Sequence, residues 1–190
     1  MNNKKLIELA KKYCEHFHDG QFRKGSNLPY HTHPIEVASI LEKFGYADTI
    51  TQCIALLHDV VEDTNIITGE IKERFGYEIA NGVFVLSKNT ISNETIEWLD
   101  RSLSLNISNL SEAQQYKLRL SFSRRKIRRV KIADMIHNTQ DLVSLSKPGS
   151  IEKKISDAEE FYIPMGRKIA PIMIKELEKN ITDYNKQILN

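Results

Sequence analysis

Apolar residues recur along most of this 190-residue chain at three- and four-residue spacing, the period of one buried helix face. Leu6, Leu9, Ala10, Tyr13 and Phe17 make the first stripe, over about residues 3–18, and Gly20 ends it. Ile35, Val37, Ala38, Ile40, Leu41 and Phe44 make the second. Pro34 suits its first turn and Gly45 stops it. Asp48 or Thr49 can cap a third helix carrying Ile50, Cys53, Ile54, Leu56, Leu57, Val60 and Val61. That helix is apolar nearly all round, which predicts the central and most buried one. Thr68 is expected to cap a short helix through Phe75 closed by Gly76, and another helix covers about Glu78 to Ser87.

Residues 88–113 are rich in Asn, Ser and Thr, include Trp98, and show weak periodicity. They read as a long connection with one or two short helices. Helix resumes near Ser111, Pro148-Gly149 marks a turn, and a helix follows from about Ile151 to Phe161. The last runs from Pro164 to near Ile188, with a kink or break near Ile169 and Ala170 imposed by Pro171. With Gly and Pro sparse, the fold class is all-α: a single compact multi-helix bundle over residues 1–190 with one core.

Composition narrows the function. The net charge of +2 is too small to argue for nucleic acid or a membrane surface. No apolar run approaches 18 residues and no signal sequence opens the chain, so a cytoplasmic protein is expected. Cys14 and Cys53 form no metal-type pair and read as free, half-buried thiols.

The chemistry concentrates where the third helix ends. His58, Asp59, Glu62 and Asp63 fall within six residues, and His58/Glu62 and Asp59/Asp63 are i,i+4 pairs on one helix. Carboxylates are unfavourable at the negative end of a helix dipole unless a cation is near. Asp134 lies among Ile132, Ala133, Met135 and Ile136, a costly place for a carboxylate that is neither paired nor metal-bound. Asn138 is its i+4 neighbour, whereas His137 points about 100° away from Asn138 and reads as structural or exposed. His33 stands at a helix start, where a ring nitrogen can face a cleft. His31 reads as a surface residue or a contact to the site.

His33, His58, Asp59 and Asp134 offer two imidazoles and two carboxylates, a set suited to one Mn²⁺ ion, with Zn²⁺, Fe²⁺ or Co²⁺ as alternatives. Such an ion would acidify its bound water and polarise a phosphoryl oxygen. Glu62 and Asp63 could orient that water, act as base, or protonate the leaving oxygen. The Arg23-Lys24 pair, in a loop over residues 21–29, is a solvated charge or an anion clamp. Residues 124–131 hold six cations in eight positions, usually a solvated face, yet they circle the helix so far that one must face the core or the cleft. These features together read as metal-dependent phosphoester or pyrophosphate hydrolysis.

Separated His, His-Asp and Asp on an all-helical chain resemble the HD superfamily of metal phosphohydrolases. Longer strings sharpen this: Gly20-Gln21-Phe22-Arg23-Lys24, Pro29-Tyr30-His31-Thr32-His33-Pro34, Ala55 to Thr64, Val130-Lys131-Ile132-Ala133-Asp134 with Asn138, and Ala158 to Gly166. They resemble the hydrolase domain of RelA/SpoT homologues, over about residues 16–178. The resemblance implies an HD-domain bundle with its metal between helices. It also implies release of the 3′-pyrophosphate of the alarmones ppGpp and pppGpp, leaving GDP or GTP. On it, His33, His58, Asp59 and Asp134 bind Mn²⁺, Glu62 and Asp63 are the catalytic acidic pair, and Arg23, Lys24 and Asn138 meet the nucleotide. A chain of this length is expected to be a small stand-alone hydrolase. The alternatives are an HD phosphatase for another nucleotide (NADPH, an adenine alarmone or a deoxynucleotide) and a catalytically silent nucleotide-binding sensor. The expected partner is a nucleotide substrate, with no nucleic acid or membrane. An oligomer is compatible with the sequence and required by nothing in it.

Overall fold

The computed structural model describes residues 2–88, 106–140, 142 and 148–189. Among these the structure is helical, with no strand and one isolated antiparallel bridge, Phe22 to Pro29. The helices are α1 (Asn3–Phe17), α2 (Thr32–Lys43), α3 (Thr49–Leu57), α4 (Val60–Asp63), α5 (Thr68–Phe75), α6 (Tyr77–Leu86), α7 (Glu112–Ser121), α8 (Arg125–Gln140), α9 (Pro148–Asp157), α10 (Ile163–Gly166) and α11 (Pro171–Leu189). A short 3-10 turn covers Ile107–Asn109, and a wide π turn covers Ala158–Tyr162.

The central position of α3 is borne out. Every residue from Thr51 to Leu57 is buried, and α3 packs against α1, α2, α6 and α8. Asp48 caps it as expected, its carboxylate accepting the Thr51 amide at 3.1 Å. The second hub is α8, which meets α2, α3, α6, α7, α10 and α11. Ile127, Ile132 and Ile136 of α8 are fully buried, as are Ile54 and Leu57 of α3 and Leu41 of α2. Each such side chain contributes about 1.5–3 kcal/mol by leaving water. Gly82 of α6 lies against Ile54, where a Cβ would come within 2.6 Å of Ile54 Cγ1, so α6 and α3 approach closely because no side chain stands between them.

Several expectations shift. The third helix does not run on to Asp63. It ends at Leu57, and the chain turns at His58-Asp59 before the single turn of α4. The His58 ring claims the Ala55 carbonyl at 2.7 Å, the group that a continuing helix would offer to the Asp59 amide. His58 and Glu62 therefore do not share one uninterrupted helix face. Thr68 is not a cap. Ile67 is the extended capping residue, and its carbonyl accepts the Glu70 amide at 3.1 Å, starting the helix one residue earlier. Pro148-Gly149 is not a turn, because Pro148 opens α9, where the absent N–H is no loss. Cys14 and Cys53 are free but fully rather than half buried, and burial pushes both thiols up to about 12. The break before Pro171 is present, with α10 ending at Gly166 and α11 starting at Pro171. Within the 88–113 connection the 3-10 turn is one short helical piece, while residues 89–105, Trp98 among them, lie outside the described residues.

Candidate metal centre and its cleft

Three elements converge on one point. His33 comes from the first turn of α2, His58 and Asp59 from the turn after α3, and Asp134 from the middle of α8. One ligand atom each of His33, His58 and Asp59 lies within 4.8 Å of the others. His33 Nε2 is 3.6 Å from Asp59 Oδ2 and 3.1 Å from Asp134 Oδ1. His58 Nε2 is 3.1 Å from Asp59 Oδ2 and 4.0 Å from Asp134 Oδ1. Both imidazoles and Asp134 are buried.

The donor set fits a divalent cation. His58 Nδ1 is bonded to the Ala55 carbonyl, which can only accept, so the ring hydrogen sits on Nδ1 and a lone pair remains on Nε2. That Nε2 is buried and has no hydrogen-bond partner, the condition of an atom waiting for an ion. Without one, a proton takes its place. Burial pushes the His58 pKa down, but the Asp59 carboxylate outweighs it and holds the imidazole at about 9. Asp59 is correspondingly held low, burial being overcome by His58.

The Asp134 carboxylate, a candidate ligand, is held from two sides. Lys131 Nζ donates to its Oδ2 at 2.6 Å, and the Asn138 amide donates to Oδ1. Burial raises its pKa and the Lys131 charge overrides this, so the carboxyl stays well below its usual range. Lys131 is a member of the basic run that turns inward to the site, as the sequence required, and its ammonium lies 5.9 and 5.7 Å from the rings of Tyr116 and Tyr162. Tyr162 is the last residue of the π turn and is buried.

Some participants were not expected. The Tyr30 hydroxyl donates to Asp59 Oδ2 at 2.8 Å, and burial followed by the Asp59 charge keeps that phenol protonated. His137, read from sequence as structural or exposed, is half-buried with its Nδ1 2.6 Å from His33 Nδ1. Burial, then the neighbouring His33 and Arg23, push its pKa down to about 4. Helical periodicity describes only the face that His137 occupies, whereas its partner belongs to α2. Tyr30, by contrast, lies inside the string Tyr30 to Pro34 and could have been singled out there.

Glu62 and Asp63 are exposed at the edge of the site. Both Glu62 oxygens are engaged by Lys88, through its backbone N–H at 2.9 Å and its ammonium at 3.1 Å. Asp63 is different. Burial and then the Asp59 charge raise its pKa, partly offset by Tyr30. Arg23 and Lys24 lie on the loop between α1 and α2, as expected. With Tyr30, Asp63, Asn138, Ser150 and Lys154 they line a cleft of about 980 Å³. Lys154 of α9 has its pKa lowered, first by burial and then by Arg23, Lys131 and Lys24, with Asp134 opposing. Cations this close together favour a polyanion between them. His31 sits at the N-terminus of α2 and makes no side-chain cap.

Residues 10–168 match the HD domain family. The chain belongs to that family. The HD domain implies a divalent metal, and the His/Asp cluster is where this chain could hold it. Among curated relatives, it is 31% identical over 175 residues to a guanosine-3′,5′-bis(diphosphate) 3′-pyrophosphohydrolase of Haemophilus influenzae, covering 91% of this chain and 23% of that protein. It is 34% identical over 182 residues to a GTP pyrophosphokinase of Myxococcus xanthus, covering 91% and 22%. The HD chain thus spans under a quarter of the length of the curated relatives it matches. Among solved structures it resembles a metazoan ortholog of SpoT that hydrolyzes ppGpp and plays a role in starvation responses, with a TM-score of 0.73, 21% identity, and 94% and 95% of the two chains covered. At that identity the likeness establishes the fold. Among the described residues no helix is long and apolar enough to cross a membrane.

Proposed function

We propose that this HD-domain chain is a Mn²⁺-dependent pyrophosphohydrolase that removes the 3′-pyrophosphate of ppGpp and pppGpp, with residues 1–190 acting as one domain. The observation that carries the reading is the junction of a His/Asp cluster with a cleft whose walls bring Arg23, Lys24 and Lys154 together. The relatives named pyrophosphohydrolase and SpoT ortholog support the substrate. Other relatives are named GTP pyrophosphokinase, but the metal cluster favours the hydrolytic direction for this chain.

His33, His58, Asp59 and Asp134 would hold the ion. When bound, it supplies a polarised phosphoryl oxygen and an activated water. Tyr30 and Lys131 keep Asp59 and Asp134 ionised and aimed, by donating to their Oδ2 atoms. Asp63, with its raised pKa, takes or returns the proton at the reacting oxygens, and Glu62 orients the water while Lys88 holds its carboxylate. Arg23, Lys24 and Lys154 offset the charge of the phosphates, and Asn138 faces the nucleotide from α8. The chain's partner is then the nucleotide itself. The free cysteines Cys14 and Cys53 agree with a cytoplasmic setting.

Purified protein loaded with Mn²⁺ should convert ppGpp to GDP and pyrophosphate. EDTA-treated protein and an Asp59→Ala variant should not. Absence of turnover with metal measurably bound would reject the alarmone as substrate and move the search to NADPH and adenine alarmones.

A further inference from the structure

We infer that His137 is a positioning residue that selects the tautomer of the metal-facing His33. The inference rests on the metal-centre part of the reading above and is independent of the substrate. The two Nδ1 atoms are 2.6 Å apart, with ring centroids at 4.8 Å and planes inclined by 31°. Two imidazole nitrogens this close are bonded only if one carries a hydrogen and the other a lone pair.

The remaining contacts of His33 decide which. Its Nε2 points at Asp134 Oδ1 and Asp59 Oδ2, 3.1 and 3.6 Å away, the direction in which a cation would sit. To bind one, Nε2 must present a lone pair, which places the ring hydrogen on Nδ1. His33 therefore donates and His137 accepts, and the hydrogen of His137 is on Nε2. Reversing the bond would put a hydrogen on His33 Nε2 and aim it into the centre, closing His33 to a metal.

His58 differs in kind. Its Nδ1 meets the Ala55 carbonyl, which can only accept, so its tautomer is set by the backbone. The partner of His33 is a side chain able to face either way, on a helix that packs directly against α2. Among the described residues His137 Nδ1 is the hydrogen-bond partner of His33 Nδ1, so a residue at 137 with an acceptor at that position is what keeps His33 open.

The test uses the full chain and needs no substrate. Mn²⁺ binding would be titrated by calorimetry for the unsubstituted protein, His137→Ala and His137→Asn. Asn places an oxygen near the position of Nδ1. His137→Ala should weaken Mn²⁺ about 10- to 100-fold, the usual effect of removing a partner that orients a metal ligand, and His137→Asn should recover most of it. In parallel, ¹⁵N NMR of the unsubstituted protein with Zn²⁺ as a diamagnetic ion should show His33 as the Nδ1–H form and His137 as the Nε2–H form. Unchanged Mn²⁺ affinity in a folded His137→Ala protein would overturn the inference. So would weakening that His137→Asn does not repair, or a His137 found as Nδ1–H. If His137→Ala does not fold, the NMR result on the unsubstituted protein decides. Failure to hydrolyse ppGpp with these results intact would remove the proposed substrate and leave His137 in this role.

Discussion

Lys131 and Asp134 stand one turn apart on α8 as an ion pair, ammonium to carboxylate at 2.6 Å, with the rings of Tyr116 and Tyr162 flanking the ammonium. A methionine at 131 would keep the packing and leave the Asp134 carboxylate buried without its ammonium partner. Lys131→Met should cost about 3–5 kcal/mol in metal-free protein, the usual penalty for breaking a buried pair from one side. A bound cation would compensate for part of it. Urea unfolding with and without Mn²⁺ measures this. Equal losses in the two conditions would mean that Lys131 acts through packing rather than by offsetting the charge.

Metal affinity should depend on pH through His58. Because Asp59 outweighs burial and holds that imidazole at about 9, metal-free protein carries a proton there at neutral pH. A pKa raised by folding stabilises the metal-free protein below the unfolded value and loses that contribution as the pH passes about 9. An incoming ion must displace the same proton. Its apparent affinity should rise about tenfold per pH unit between roughly 7 and 9 and flatten above, with one proton released. Calorimetry in buffers of different ionisation enthalpy reads both quantities. A pH-independent affinity over that range would contradict the assignment.

The two acidic residues should separate cleanly from the metal ligands. Asp63→Asn and Glu62→Gln should retain Mn²⁺ and lower kcat on ppGpp by about 10²- to 10⁴-fold, the range for general acid–base groups. KM should change little. Lys88→Ala, which frees Glu62 Oε1 and keeps the backbone bond to Oε2, should lower kcat in the same direction but by less than Glu62→Gln. Wild-type kcat in Asp63→Asn would take Asp63 out of the chemistry.

Gly82 offers a test of the fold away from the site. A Cβ there would lie 2.6 Å from Ile54 Cγ1 and 3.1 Å from Cγ2, atoms held in the core rather than at the end of a flexible chain. Gly82→Ala should destabilise by about 1–3 kcal/mol through overpacking, despite the better helix propensity of Ala. Thermal melts compared with the exposed control Gly149→Ala would show it. Equal melting temperatures would mean that α6 can move away from α3.

Most of the helices were legible because their burial is periodic or total, as in α3 and α8. Asp134 was legible for a related reason: a carboxylate between Ala133 and Met135 breaks an apolar pattern and so demands a partner. What escaped depends on single side-chain contacts. The end of α3 at Leu57 follows from one ring nitrogen taking the Ala55 carbonyl, which no propensity encodes. The role of His137 depends on a residue 104 positions away, beyond any local period. Lys154 entered the cleft through the packing of α9, whose register its own sequence does not specify.

The loop before α2 carries a consequence for engineering. The Gln21 side chain donates to the Asp63 carbonyl at 2.9 Å and is itself bonded to His18, while its backbone carbonyl receives the Tyr30 amide. Arg23 and Lys24 follow directly along the chain. The segment proposed to bind phosphate and the turn that presents Asp63 are thus geared through one amide group. Variants selected at positions 22–28 for tighter nucleotide capture would inherit altered turnover with it, and affinity and speed would have to be tuned as a single property.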